Sequence, residues 1–349
     1  MSDVPRLRTP GEIAAVTPLL VGFTPFESLV GLSLRGPGRR VGLVLRVDLA
    51  DSPVLVDRVV QALVRDGARA ALLLVHTERP SGEEHPFASL VAAVKARLQE
   101  QRVPVHEALL VRDGRWWSYR CRLACCPLDG LPVEAQSRPV QAVAAEQAFT
   151  GRRVLASRAE LVASVEPSLP LGPGPAEQLQ EQALLALRAR LRADPAGARR
   201  LELARWRRAV DTWERERGSA APEQAAALVA ALHPVLVRDQ VAAWCLERRD
   251  ALLGLLLQLC RSAVPPHDAP LCAVLAWVAY AHGDGALAVV ALERALRTDP
   301  AYSLARLLDQ AVEGAVPPEQ VRAVLRTAAA DLSRRERRRS GRRAGLGAA

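Results

Sequence analysis

Residues 22–48 limit the possible folds of this chain more than any other segment. An aromatic-proline loop, Gly22-Phe23-Thr24-Pro25, leads into two apolar segments, at about Ser28–Leu34 and Val41–Asp48. Gly36-Pro37-Gly38 separates the two segments, and glycine with proline is typical of a turn. The stretch therefore predicts a pair of strands entered through an extended loop.

Helical and strand patterns alternate after this pair, as far as Arg120. The successive segments are a helix at about 52–67, a strand at 70–75, a helix at 86–101, and two strands at 105–112 and 115–120 around Asp113-Gly114. Strand-helix-strand units predict parallel strands, and hairpins add antiparallel ones. The sequence thus predicts an α/β domain with a mixed sheet in the order β-β-α-β-α-β-β. Because the second strand begins the crossovers, we expect the sheet to be built onto it.

The second half of the chain shows only helical periods. A proline- and glycine-rich segment, Glu166–Pro175, precedes this half and is typical of a linker. We therefore predict a mixed α/β domain at 1–165, a linker at 166–175, an all-α helical array at 176–331 and a disordered tail at 332–349.

The charge is concentrated in the arginine-rich tail. Seven arginines against Asp331 and Glu336 place five of the nine net positive charges after residue 330. The modest charge of the rest argues against a dedicated nucleic-acid-binding fold, whose basic residues cover a face. Weak association with nucleic acid through the tail stays open. With neither a signal-peptide pattern nor a long apolar span, we expect a cytoplasmic protein without membrane contact.

Charged side chains meet at the predicted strand ends. Arg46 and Asp48 share one face of the second strand, and His76 ends the next one. Ligands collect at the carboxyl ends of parallel strands, so these three residues are candidates for binding an anionic substrate or for acid-base chemistry. The alternative is an ion pair, Arg46 with Asp48 or with Glu78, that closes the strand end. Ser28 lacks the G-x-S-x-G pattern of an activated nucleophile, and we interpret it as structural.

The connection after Asp48 argues against a nucleotide cofactor. It reads Asp48-Leu49-Ala50-Asp51-Ser52-Pro53 and has no glycine to bring backbone amides onto a pyrophosphate. Its carboxylates would repel one. The sequence predicts no cofactor.

Three cysteines lie in the loop that follows the last predicted strand: Cys121, Cys125 and Cys126. With His85 or His106 they could bind zinc, but adjacent cysteines fit a tetrahedral site poorly. Redox chemistry or a disulfide is a second interpretation, and a packed structural loop is the third. The other cysteines, Cys245, Cys260 and Cys272, fall on helical apolar stripes and are expected in the core.

One helical pair, at 270–302, resembles a tetratricopeptide repeat. The resemblance lies in the second helix, in Ala288, Leu292 and Ala295 followed by Asp299-Pro300. Ala276 stands where a glycine is usual in the first helix. The resemblance implies a helical pair of that geometry.

The chain as a whole resembles a family of uncharacterised actinobacterial proteins, domain of unknown function 4192 (DUF4192). The matching motifs, spread from Leu7 to about Ala315, are Gly22-Phe23-Thr24-Pro25 with Ser28-Leu29-Val30, Arg46-Val47-Asp48-Leu49, Cys121 with Cys125-Cys126-Pro127, and Trp277-Val278-Ala279-Tyr280. The resemblance implies one inherited unit and carries no known activity, cofactor or partner.

Three functions remain as expectations from the sequence. The first is a binding or scaffolding protein that contacts another protein through its helical domain. The second is an enzyme with an anionic-substrate site at the strand ends of the α/β domain. The third is association with nucleic acid through the arginine-rich tail.

Overall fold

The computed structural model describes residues 6–50, 52–80, 85–121, 126–149, 153–169, 172–327 and 330. The chain divides into two compact units, Met1–Glu160 and Leu161–Ala349. The first unit contains a six-stranded sheet with helices, and the second contains helices. The predicted fold class, a mixed α/β domain followed by an all-α array, is confirmed.

The first unit is a mixed sheet between helices. Its elements are α1 (Pro10–Val21), β1 (Ser28–Arg35), β2 (Arg40–Asp48), α2 (Pro53–Arg65), β3 (Ala70–His76), α3 (Ala88–Glu100), β4 (Val105–Arg112), β5 (Arg115–Ser118), β6 (Leu131–Pro132) and α4 (Arg138–Phe149). The strands lie in the order β2-β1-β3-β4-β5-β6. Only β3 and β4 pair in parallel among these six strands, and the other neighbours are antiparallel.

The expectation that the sheet is built onto β2 is wrong. β2 lies at the edge, and β1 is inserted between β2 and β3, antiparallel to both. The physical reason is burial: β1 is apolar and buried from Ser28 to Leu34, whereas β2 carries charged residues and stays partly exposed. Consequently β2 and β3 run in the same direction without touching, and their carboxyl ends flank the amino end of β1.

Helices cover both faces of this sheet. The apolar stripes of α2 and α3 pack against one face in a continuous core that includes Leu29, Val75 and Leu110. Helix α1 packs over β2, β4 and β5 on the other face. A Thr9 capping box fixes the start of α1, because the Thr9 hydroxyl accepts from the Glu12 amide and the Glu12 carboxylate accepts from the Thr9 amide.

A single carboxylate, Asp66, ties the end of α2 to the β1–β2 hairpin. It accepts hydrogen bonds from the Ser33 hydroxyl, from the Arg35 guanidinium with Nε at 2.7 Å, and from the Leu43 amide at 2.9 Å. Burial alone raises the pKa of Asp66, but the hydrogen bonds from Arg35, Ser33 and Leu43 outweigh it and hold the pKa below its ordinary value.

We expect Asp66→Asn to lower the free energy of unfolding by about 2 kcal/mol, because the substitution removes a charged acceptor shared by three donors. The wild-type contribution is present above the ordinary pKa of 3.8 and is lost as the pH falls through the lowered folded pKa. Urea unfolding at pH 7 measures the effect. The control is Asp57→Asn, which removes a half-exposed carboxylate 3.2 Å from Arg97 and should cost less than about 0.5 kcal/mol. Equal losses in the two variants would contradict the role of Asp66.

The second unit is built from helices that follow α5 (Arg158–Val165). They are α6 (Pro173–Ala193), α7 (Pro195–Glu216), α8 (Pro222–Ala230), α9 (Val235–Ala243), α10 (Cys245–Cys260), α11 (Ala269–Ala281), α12 (Gly285–Thr298), α13 (Ser303–Glu313) and a further helix at 318–327. Helix α9 ends at Ala243 and α10 begins at Cys245, and the backbone leaves the helical conformation at Arg248, where α10 is kinked. The predicted linker contributes its last residues to α6, where Pro173 occupies a position that tolerates proline.

By length and composition, no individual helix in the described ranges could cross a membrane. Helices α8 and α9 pass that test only when they are taken together, and they are bent by 106° at the break between them.

A buried ion pair lies inside the helical unit. The Arg294 guanidinium contacts the Asp268 carboxylate at 2.8 Å, and both side chains are almost fully buried. Arg294 also donates to the carbonyls of Val165, of Cys260 at 2.9 Å and of Ala263 at 2.7 Å. One arginine of α12 therefore connects α5, the end of α10 and the segment before α11.

Candidate ligand-binding site

A row of cross-strand partners places three polar residues side by side at the carboxyl ends of β2 and β3. Ser28 at the start of β1 is the direct partner of Asp48 on β2 and of His76 on β3. The row continues through Val111 on β4 to Trp116 on β5. Direct partners share one face of a sheet, with Cβ atoms about 4.5–5.5 Å apart. Ser28, Asp48 and His76 therefore form one contiguous polar strip.

The strip faces away from α2 and α3. Leu29 and Val75, the chain neighbours of Ser28 and His76, belong to the core under α2 and α3. Because successive side chains of a strand alternate between faces, Ser28 and His76 point to the opposite side, where α1 packs.

Buried polar atoms along this strip have no hydrogen-bond partner in the part of the chain that the structure describes. They are Ser28 Oγ, His76 Nε2, Arg46 Nε and Trp116 Nε1. Ser28 is fully buried, and His76 and Trp116 are more than nine-tenths buried. A buried polar group without a partner costs about 1–3 kcal/mol, so four of them on one face single out this region as the candidate for polar contacts with a ligand or with water.

Arg46 and Asp48 form the outer end of the strip. The Arg46 guanidinium lies 2.7 Å from the Asp48 carboxylate and donates to the Phe26 carbonyl at 3.2 Å. It also lies 6.0 Å from the centroid of the Phe23 ring. The cation is held in place by the entry loop, while the carboxylate that neutralises it is open to solvent.

Glu27, the residue before β1, forms hydrogen bonds with residues that follow β2 and β3. Its carboxylate accepts from the Thr77 hydroxyl at 2.6 Å and from the Glu78 amide at 3.1 Å, and its carbonyl accepts from the Leu49 amide at 3.1 Å. Glu27 has a backbone φ of +40°, a value that residues other than glycine rarely adopt. Such strain persists where surrounding contacts enforce it, and it is concentrated at functional sites.

Burial also sets the charge of the imidazole in the strip. Desolvation lowers the pKa of His76 from 6.5 to about 4. His76 is therefore neutral at pH 7, and its ring is able to donate one hydrogen bond and accept another.

The structure brings the three predicted strand-end residues together and adds Ser28, which the sequence interpretation treated as structural. Arg46, Asp48 and His76 lie on the same face, and Ser28 lies between the last two. The Arg46–Asp48 ion pair, which was the alternative interpretation of these residues, is also present. Residue patterns did not place Ser28 beside Asp48 and His76, because its position depends on the insertion of β1 between β2 and β3.

The cysteine loop lies only partly within the described residues. Cys121 and Cys126 are partly buried, and Cys125 lies outside the described residues. His85 packs edge-on against Tyr119 with ring centroids 5.6 Å apart, and His106 lies on β4. Across the described ranges, no three His, Cys, Asp or Glu side chains are grouped so that they could hold a metal ion. The metal and redox roles of Cys121, Cys125 and Cys126 stay predictions.

The interior cysteines give a direct test of thiol reactivity. Cys245, Cys260 and Cys272 are almost completely buried, and burial raises the pKa of Cys245 to about 12. A contact with Cys260, together with burial, raises the pKa of Cys272. Since the thiolate is the reactive form, we expect iodoacetamide at pH 8 to leave these three unmodified in the native protein. Mass spectrometry measures the modification, with the denatured protein as the control. The prediction is wrong if the three buried cysteines are modified as fast as Cys121 in the native protein.

The helical pair at 270–302 has no open face on its first helix. Every residue of α11 is buried, because α9, α10, α12 and α13 pack around it. A peptide can bind only to a face that solvent reaches, so α11 cannot line a binding groove in this arrangement.

The fold and the site define a two-unit protein. Its α/β unit carries a polar strip at the carboxyl ends of β2 and β3, and its second unit is all-α. The family model described as "Domain of unknown function (DUF4192)" matches residues 10–319, and the chain belongs to this family. No curated protein and no solved structure matches the chain.

Proposed function

We propose that this protein binds a small anionic molecule at the carboxyl ends of β2 and β3. The observation that carries the proposal is the row of Asp48, Ser28 and His76, in which buried Ser28 Oγ and His76 Nε2 have no hydrogen-bond partner among the described residues. A ligand with polar groups supplies those partners, and the Arg46 cation at the outer end favours negative charge.

The chemistry of the strip supports binding rather than a complete catalytic apparatus. A neutral His76 and the Ser28 hydroxyl can each donate and accept hydrogen bonds. No hydrogen bond links Ser28 Oγ to His76 Nε2 in the structure, although a nucleophile and its base are expected within about 2.6–3.2 Å. The enzyme alternative keeps the same residues and needs a rotation of His76 on ligand binding.

A thermal-shift screen of the full chain tests the proposal. The probes are acetate, succinate, inorganic phosphate and adenosine monophosphate at constant ionic strength. We expect at least one to raise the melting temperature of the wild type and to lose most of that effect in Ser28→Ala and in Arg46→Gln. The matched control is Arg97→Gln, since Arg97 is a half-exposed arginine of α3 that pairs with Asp57 on α2 and with Glu100 on α3.

Two results would overturn the proposal. One is a melting temperature that none of the four probes raises. The other is an equal stabilisation of the wild type, Ser28→Ala and Arg46→Gln, which would place the bound anion elsewhere on the protein.

The other two expected roles stay proposals with tests of their own. Protein binding by the helical unit would have to use outer faces, because α11 is buried. The arginine-rich tail lies outside the described residues. A salt-dependent affinity for DNA that disappears when residues 331–349 are deleted would support a role of the tail. The cytoplasmic location also stays a prediction.

A further inference from the structure

Arg46 is the cation of the strip that would bind an anionic ligand, and it is already in contact with a carboxylate of the protein itself. The Arg46 side chain is only 16% exposed; its guanidinium carbon lies 6.0 Å from the centroid of the Phe23 ring, and its Nη2 donates to the Phe26 carbonyl at 3.2 Å. The same Nη2 lies 2.7 Å from the carboxylate of Asp48, whose side chain is 84% exposed. Asp48 thus contacts Arg46 where an anion arriving from solvent would bind.

The two members of this ion pair are held very differently. The Asp48 side chain is 84% exposed, and Arg46 is the partner that the structure gives it among the described residues. Exposed ion pairs contribute little to stability, whereas the Arg46 side chain is mostly enclosed, and Ser28, the strand partner of Asp48, has a hydroxyl with no hydrogen-bond partner among the described residues. The carboxylate can therefore leave at small cost, while the cation stays in place.

We propose that Asp48 is an internal stand-in for the ligand, and that the ligand's own carboxylate or phosphate displaces it from Arg46. The inference rests on the proposed function and names the chemical class of the group that binds there. Asp48 then acts as a built-in competitor that weakens binding. A ligand oxygen takes its place on the guanidinium, and the side chain of Asp48 turns into solvent.

The chain offers a close control for the charge of Asp48. Asp113 follows the carboxyl end of β4, at the same end of the sheet as Asp48. Its side chain is 80% exposed and pairs with the neighbouring Arg112 at 3.9 Å. Asp48→Asn and Asp113→Asn remove the same charge from strand ends of the same sheet. Only the first removes the group in contact with Arg46.

Isothermal titration calorimetry of the full chain with inorganic phosphate, and separately with acetate, tests the proposal at constant ionic strength. Removal of an exposed ion-pair partner predicts that Asp48→Asn binds about two- to fivefold more tightly than the wild type. Loss of a charged hydrogen-bond donor predicts at least about tenfold weaker binding for Arg46→Gln. The effect of Asp48→Asn should vanish in the Arg46→Gln background, because the competition acts through Arg46.

The outcomes separate this inference from the proposed function. The stand-in role is wrong if the wild type and Asp48→Asn bind the anion with equal affinity. It is also wrong if Asp113→Asn raises the affinity as much as Asp48→Asn does. In both cases the proposed ligand site still stands. If Asp48→Asn gains the same factor with and without Arg46, the carboxylate acts by another route and the inference fails. If neither probe binds the wild type or any variant, the stand-in role is wrong, and the thermal-shift screen with all four probes decides the proposed function. A preference for phosphate or for acetate identifies which anion Arg46 accepts.

Discussion

Replacing Arg294 with methionine should lower the free energy of unfolding of the helical unit by about 3–5 kcal/mol. Methionine replaces the aliphatic part of the arginine side chain but leaves Asp268 as a buried charge without its cation, which is the costly way to break a buried pair. The carbonyls of Cys260 and Ala263 also lose their donor. A loss of this size is a large fraction of the stability of a typical domain.

A second arginine of the same helix is the control. Arg297 lies one turn further along α12, pairs with Glu166 and is 61% exposed. Arg297→Met should cost less than about 1 kcal/mol. Urea unfolding followed by circular dichroism at 222 nm measures both variants, and hydrogen exchange with mass spectrometry locates the loss to the helical unit. If the two substitutions cost the same, the buried pair is not what stabilises this unit.

A double variant separates the buried charge from the lost packing. Adding Asp268→Asn to Arg294→Met removes the uncompensated charge, so the double variant should recover part of the stability lost by the single one. A double variant that is less stable than Arg294→Met by the full cost of Asp268→Asn alone would show that the two residues act independently.

The second large effect concerns pH. We expect the α/β unit to lose up to about 3 kcal/mol of stability as the pH falls from 6.5 to 4. His76 is buried and neutral, with its pKa lowered from 6.5 to about 4. Between pH 6.5 and pH 4 the imidazole of His76 is protonated in the unfolded chain but not in the folded chain. The contribution of the neutral His76 to stability is therefore fully present above pH 6.5 and decreases as the pH falls toward 4. The difference between 6.5 and 4, at about 1.4 kcal/mol per pH unit, gives the magnitude.

The variant His76→Leu should remove this pH dependence, because leucine cannot take up the proton. Unfolding in urea between pH 7 and pH 4.5, with hydrogen exchange assigned to residues 6–160, measures the difference in slope between variant and wild type. His233 provides the comparison: burial, then the charges of His267 and Arg188, lower its pKa to about 4 in the helical unit. His233→Leu should leave the slope of the α/β unit unchanged. A His76→Leu slope equal to that of the wild type would contradict the assignment.

Residue patterns were enough to predict the elements of the first unit, because local rules decide them. Strand-like segments met at Gly36-Pro37-Gly38 and at Asp113-Gly114, and the apolar stripes of α2 and α3 indicated helices that cover a sheet. The same reasoning failed on the neighbours of β2. Pairing depends on which strand is buried most fully, and that is decided by the assembled sheet rather than by any one segment.

The second half shows the same division. Helical periods predicted an array of helices, but they did not predict that α11, the first helix of the repeat-like pair, is enclosed on all sides. The resemblance lay in the spacing of small residues, which lets helices approach closely and says nothing about what packs on the remaining faces.

By itself, the sequence determined the class of the fold, the family resemblance and the strand-end candidates Arg46, Asp48 and His76, because apolar periodicity and strand-end position are local properties. The tertiary structure decided that Ser28 stands between Asp48 and His76, that Arg46 is mostly enclosed while its partner Asp48 is exposed, and that Arg294 and Asp268 meet inside the helical unit. These are contacts between residues far apart in the chain. They exist because burying the most apolar strand and the most apolar helix outweighs the cost of enclosing a few polar groups beside them.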